Sequence, residues 1–423
     1  MAGGSKGNRL HWRWSNKGAA QELIKSFEKE FVLNGNQSYS FRLDAEIYAD
    51  ALIEFITFNE TVTWHLVLKY ILVAGASLRA QNKHIDPEEL LKKAQELYRT
   101  ECAETTKYYV VFPILPLIGL SLINTRINGA NLRFYHKCPS KYKFARKNLL
   151  SRYHNKLDED VDSTLEYHWC VVSVCSHNPE TAFNDAYSAI NVYRGLHEVS
   201  VLKQFSVRGG RGTAVDYERP TVLPLGRYYS THLSTGRLAS TLVWCQENYK
   251  TPSTKPGRCH ESLNLLIKKH LKLYKKSKFS EHLSKTLNAL MDSVDIATPE
   301  YRYLKLHTAI EIMVGSDKSE TINKRLSFPP LSSHYNEKLI LALRGSRNKL
   351  VHAGVSSEIA NNDINVKIYL LTMLASHYIG FMLANHYGYQ TLDGFLNFTS
   401  MRYDSKLVDR QMQDLKNLKA ING

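Results

Sequence analysis

The residues best equipped for chemistry lie in the run Leu343-Arg344-Gly345-Ser346-Arg347-Asn348-Lys349-Leu350-Val351-His352-Ala353-Gly354. Cleaving RNA without a metal needs a base for the 2′-hydroxyl proton, an acid for the departing 5′-oxygen, and positive charge against the oxyanion of the phosphorane. Histidine, with an ordinary pKa of ~6.5, moves protons near neutral pH, and arginine grips phosphate through two parallel hydrogen bonds. His352 is therefore the candidate base or acid, Arg347 the phosphate and transition-state clamp, and Asn348 the residue that positions them. One histidine per chain supplies half of the proton chemistry. A two-fold homodimer, the commonest oligomer, would supply a second imidazole. The bland alternative is that these residues cap a helix end and offset its dipole. A further alternative is a non-catalytic RNA-binding or dimerisation module in which the same patch only grips phosphate.

The element that must position these residues is a helix predicted from Asn336 to His352, with Gly354 placed as its stop. At ~100° per residue, Leu339, Leu343 and Leu350 fall on one face, while Asn348 and His352, one turn apart, share another. Around it the periodicity predicts helices from Glu261 to Lys275, Phe279 to Val294, Pro299 to Val314 and Asn362 to His386, joined by loops of bundle length. The first of these and its exit carry Lys268, Lys269, Lys272, Lys275, Lys276 and Lys278 opposite Leu263, Leu266, Ile267 and Tyr274. That stripe is either an RNA-phosphate contact or a solvated helix face. Arg344 and Lys349 are further candidates for RNA contact.

Upstream, helices are predicted from Ala19 to Val32, Asp44 to Phe58 and Val62 to Ala80, with another opened by Asp86-Pro87-Glu88-Glu89. From Tyr108 to Cys175, short aromatic and β-branched segments separated by Gly, Asn and Pro read as strands. A helix from Pro179 to Leu196 follows, and Val207 to Gly236 reads as loops and edge strands. The stretch Lys250-Thr251-Pro252-Ser253-Thr254-Lys255-Pro256-Gly257-Arg258 is the best linker candidate. The expected architecture is α+β. A mixed helical and β region spans 1–250 with a break near 105, then come a linker at 251–258, an all-α bundle over 259–390 and an extension over 391–423.

The pattern Arg347-Asn348-Lys349-Leu350-Val351-His352, together with the preceding Leu304 to Val314 helix (LKLHTAIEIMV), resembles the HEPN ribonuclease superfamily, and most closely the ApeA-like HEPN domains of prokaryotic defence proteins. The resemblance covers roughly Arg258 to Tyr387. It implies a helical bundle that dimerises, with the Arg and His of both protomers forming a metal-independent endoribonuclease site and Asn348 standing at the family's polar position. It also implies a toxin-like or antiviral effector whose N-terminal region senses an unidentified trigger or restrains the nuclease. Glu311 resembles the acidic residue of the family's preceding helix and is expected to orient Arg347.

Bulk properties agree with this direction without specifying it. The 423 residues are 43% hydrophobic, enough for two or three domains with real cores. Lys plus Arg outnumber Asp plus Glu by 55 to 40, a formal charge of +15 that favours polyanionic partners. Six scattered cysteines and a start without an apolar signal region point to a reducing, cytoplasmic setting. Tyr109 to Ile123 contains Pro113 and Pro116, and Ile368 to Ala384 is at the lower limit for a membrane span, so both are read as buried core. Cys170, Cys175 and His177 lack zinc-site spacing, and no Walker loop, dinucleotide fingerprint or nucleophile elbow is present, so no metal and no cofactor is expected. Arg208-Gly209-Gly210-Arg211-Gly212 reads as a tight loop more readily than as an RNA-binding element. Asp158, Glu159, Asp160 and Asp162 read as an exposed loop.

Overall fold

The computed structural model describes residues 10–13, 17–34, 38–42, 44–57, 64–81, 83–101, 104–116, 121–152, 167–208, 221–246, 261–328, 337–353, 361–401, 409–410, 412–414 and 416–417. The chain divides into two compact units, 1–108 with 175–184, and 109–174 with 185–423. The fold is α+β. The linker expected at 251–258, the Arg-Gly run after Arg208, the acidic run 158–162 and Gly354 lie outside the described residues.

The smaller unit is mostly helical: α1 (Lys17–Lys29), α2 (Asp44–Ile53), α3 (Trp64–Ala80) and α4 (Pro87–Glu101), with two short antiparallel pairs, β1 (His11–Trp12) with β4 (Ile56–Thr57) and β2 (Phe31–Asn34) with β3 (Ser38–Phe41). The predicted start of α4 is realised by Asp86, whose carboxylate accepts from the Glu88 and Glu89 N–H groups at 2.9 and 3.2 Å. Two expectations need correction. The helix predicted to run to Val32 stops at Lys29, and Phe31-Val32-Leu33 pairs as a strand. The helix predicted to reach Phe58 stops at Ile53, and Ile56-Thr57 pairs with β1. In both places β-branched and aromatic residues found a strand partner that helical periodicity does not reveal.

In the larger unit a six-stranded sheet has the order β10-β9-β5-β8-β7-β6. Its strands are β5 (Thr106–Ile114), β6 (Thr125–Ile127), β7 (Ala130–Tyr135), β8 (His168–Ser176), β9 (Tyr228–Leu233) and β10 (Trp244–Cys245). β6 and β7 form a hairpin closed at Asn128-Gly129, both with positive φ (49° and 84°), the pair that a tight two-residue turn requires. A helix absent from the sequence reading, α5 (Ser140–Ser151), lies between strands β7 and β8 in the chain and buries Tyr142, Arg146 and Leu149. The long α6 (Pro179–Arg208) runs well past the predicted end at Leu196. Gly195, which weakens the helical signal, sits where a Cβ would approach the Leu287 side chain to 2.9 Å. It marks a close helix contact and not a stop.

The C-terminal helices follow closely as predicted: α7 (Glu261–Lys276), α8 (Ser280–Val294), α9 (Pro299–Val314), α10 (Ser319–Leu326, not anticipated), α11 (Glu337–Ala353) and α12 (Asn361–Ala384). They share a unit with the sheet and with most of α6, and polar contacts join them to both. Asn128 bonds both Ser284 (2.8 Å) and Tyr274 (2.7 Å), and Asn288 donates to Ser188 (2.9 Å). The expected C-terminal extension contributes α13 (Leu392–Thr399), whose Phe395 is buried with its ring 5.5 Å from that of Phe381. α12 has the length and apolarity of a membrane span, yet 67% of its apolar window is buried inside the protein.

Candidate functional site

α11 is held by its apolar stripe: Ile340, Leu343 and Leu350 are buried, and the Leu343 carbonyl accepts from the Tyr303 hydroxyl of α9 at 2.5 Å. Leu339, placed on that stripe by sequence, is half-buried. α9 itself ends at Gly315, whose left-handed backbone (φ 62°) turns the chain while its N–H bonds the carbonyls of Glu311 and Ile312. α10 is pinned against this end by Arg325, which donates to the Val314 carbonyl and to Ser400 Oγ.

With those helices fixed, Arg344, Arg347 and Asn348 stand at i, i+3 and i+4 along α11, the two arginines partly inside the packing and Asn348 outside it. Arg347 is half-buried and donates from Nη1 to Asn348 Oδ1 at 3.4 Å, and Asn348 is exposed. Arg344 is half-buried and donates from Nε to Ser319 Oγ at 2.9 Å. His352 lies in the last turn of α11, four residues beyond Asn348. Its side chain and that of Lys349 lie outside the described residues.

The electrostatics of the patch are crowded with like charge. Burial lowers the Arg344 pKa, Glu311 opposes that shift, and the neighbouring Arg347 adds to it. The resemblance paired Glu311 with Arg347. In the structure the half-buried Glu311 also acts on the Arg344 guanidinium. Two guanidinium groups next to one carboxylate leave net positive charge, which an external phosphate would relieve.

Sequence reasoning passed over His307, one turn before Glu311 on α9. It is only 2% exposed, and its Nε2 has no hydrogen-bond partner among the described residues. Its ring stacks edge-on with Tyr303 at 4.9 Å. Burial, then Arg344 and Arg347, push its pKa down to about 3, so the imidazole is neutral at physiological pH. A cavity of about 10 Å³ beside it, also lined by Ile310, Leu343 and Arg344, is at the size of a single water. The available signal was the i, i+4 spacing of His307 and Glu311 on the helix facing α11.

The other predicted contacts are dispersed or exposed. Lys268, Lys272, Lys275 and Lys276 are all exposed along α7, opposite the buried Leu263, Ile267, Leu271 and Tyr274. Cys170 is buried, with its thiol pushed well up by burial, whereas Cys175 is exposed. In the smaller unit a shallow pocket of about 220 Å³ lies between Trp12 and α4, below the ~300 Å³ at which small-molecule sites usually begin.

No family model, no curated protein and no solved structure matches this chain.

Proposed function

We propose that α11 carries a metal-independent endoribonuclease site of the HEPN type, and that two copies of the chain combine to complete it. The observation that carries this reading is the Arg344, Arg347 and Asn348 patch, crowded with positive charge, with Asn348 one turn before His352. In this reading the guanidinium groups bind the scissile phosphate and stabilise its pentavalent oxyanion. Asn348 fixes the Arg347 fork. His352 of one protomer takes the proton from the 2′-hydroxyl, while His352 of the partner subunit protonates the leaving 5′-oxygen. Attack of the 2′-oxygen on phosphorus breaks the P–O5′ bond and leaves a 2′,3′-cyclic phosphate and a 5′-hydroxyl. The N-terminal region, 1–250, would regulate this activity in an antiviral or toxin-like role, in the cytoplasm.

The neutral His307 behind the patch fits a supporting part. An imidazole that stays uncharged adds no third positive charge beside the two arginines. The test is to incubate purified protein with total cellular RNA in EDTA and compare wild type with Arg347→Ala and His352→Ala. Cleavage by wild type and by neither variant is the expected result. Equal cleavage by all three would place the activity elsewhere. Tight RNA binding with no cutting by any of them would favour a module that only grips phosphate.

A further inference from the structure

We infer that the sheet face around α5 is a binding surface for single-stranded nucleic acid, built from exposed aromatic rings set among lysines and arginines. It goes beyond the α11 reading and stands whether or not that site cuts RNA.

The register defines the face. Arg126 lies opposite Asn131, and Arg133 and Tyr135 lie opposite Val171 and Trp169, so all six point to one side of the sheet. α5 covers only part of that side, where Tyr142 packs with Val111 and Val171. Beyond it, Arg126, Asn131 and Arg133 are exposed, and Tyr135 is 38% exposed. α5 is docked firmly: Arg146 donates to the Tyr228 carbonyl at 2.9 Å, and its guanidinium lies 5.2 Å from the Trp169 ring. Tyr142 gathers the neighbouring groups. Burial pushes its phenol up to about 12, Tyr109 and Tyr135 add to that, and Arg133 opposes it.

The outward side of α5 presents Lys143, Phe144 and Lys147. Phe144 is 74% exposed, more than any other large apolar side chain among the described residues. Lys141, at the helix start, lies 5.9 Å over the Tyr109 ring. Strands β5 to β8 and α5 themselves contain no Asp or Glu, and the acids between α5 and β8 fall at 158–166, outside the described residues.

This combination selects its ligand. Positive charge alone would suit any polyanion, and exposed rings alone would suit an apolar partner. Rings among cations suit a strand whose phosphates pair with Lys and Arg while its unpaired bases stack. A duplex, whose bases are already stacked, would use only the charges.

The test uses the full chain carrying His352→Ala, so that RNA stays intact, and fluorescence anisotropy with a short, unstructured, fluorescein-labelled RNA. Phe144→Ala should weaken binding by about 10-fold, the scale of one lost base–aromatic stack. Because Phe144 is exposed, its loss leaves the fold untouched, and circular dichroism checks this. Lys143→Glu with Lys147→Glu should weaken binding and flatten its salt dependence, by about 0.7 in logarithmic slope for each lost phosphate contact. The same sequence as a duplex should bind more weakly than the single strand. Unchanged affinity in Phe144→Ala, unchanged affinity in the double lysine variant, or a duplex bound as tightly as the single strand would each overturn the assignment.

Discussion

Two arginine sites in the larger unit use the same side chain in opposite ways. Arg194 of α6 is fully buried and four of its five N–H groups are satisfied: Nε donates to the Leu223 carbonyl (2.7 Å), Nη1 to Asn191 and Asp295 (2.8 Å each), and Nη2 to Asp295 (2.6 Å). Burial would lower its pKa, but Asp295 more than compensates and the net shift is upward. Arg344 and Arg347 of α11 instead sit half-buried beside each other with Glu311 as the nearby carboxylate, and the Arg344 pKa falls. The first arrangement is complete within the fold and holds it together. The second is left short of negative charge, which is the condition for recruiting an outside anion.

The largest expected effect tests the structural half of that contrast. Asp295→Ala should cost about 3–5 kcal/mol, because it strands a buried guanidinium. Urea denaturation measures it, and a loss below 1 kcal/mol would mean Arg194 is not structural. Arg347→Ala should do the reverse. Its stability should change by no more than about 1 kcal/mol, while RNA cleavage falls by about 100-fold or more, as for other single oxyanion-stabilising groups.

Next in size is an effect of pH. His307 is held near 3 against an ordinary 6.5, so between those values the unfolded chain binds a proton that the folded chain does not. Stability from this group is complete above about pH 6.5 and is lost as pH falls toward 3. His197 and His232, each pushed down to about 4 chiefly by burial, act with the same sign. His307→Leu should therefore flatten the acid limb of the stability curve, and in Arg347→Ala the His307 pKa should rise when followed by NMR. An unmoved His307 would separate it from the arginine patch.

The smallest effect concerns Gly345, exposed in the middle of α11 with nothing within 4 Å of an added Cβ. Gly345→Ala should stabilise the isolated chain by about 0.5–1 kcal/mol through helix propensity. If that exposed face packs closely on a second copy, the same change should weaken dimerisation in sedimentation measurements. A destabilised monomer would contradict the helix geometry.

The sequence made the C-terminal helices legible because amphipathic periodicity and markers such as Pro299 are local. The Arg347, Asn348 and His352 pattern was legible for the same reason. What escaped it depends on partners distant in the chain. Phe31-Val32-Leu33 becomes a strand only because Ser38–Phe41 is there to pair with it. α5 is surrounded in sequence by strands, and its buried Tyr142 and Arg146 give little apolar periodicity. The roles of His307 and Arg344 arise from packing α9 against α11, of which the i, i+4 spacing of His307 and Glu311 is only a local trace.

The central claim is that this chain cuts RNA by 2′-hydroxyl attack at the α11 site. The most direct measurement is end-group analysis of products formed in EDTA, alongside an oligonucleotide with 2′-deoxyribose at the mapped cleavage position. The account predicts 2′,3′-cyclic phosphate ends, no cutting of the deoxy-substituted strand, and no products from Arg347→Ala. Cleavage of the deoxy-substituted strand, or 3′-hydroxyl ends that persist in Arg347→Ala, would contradict it.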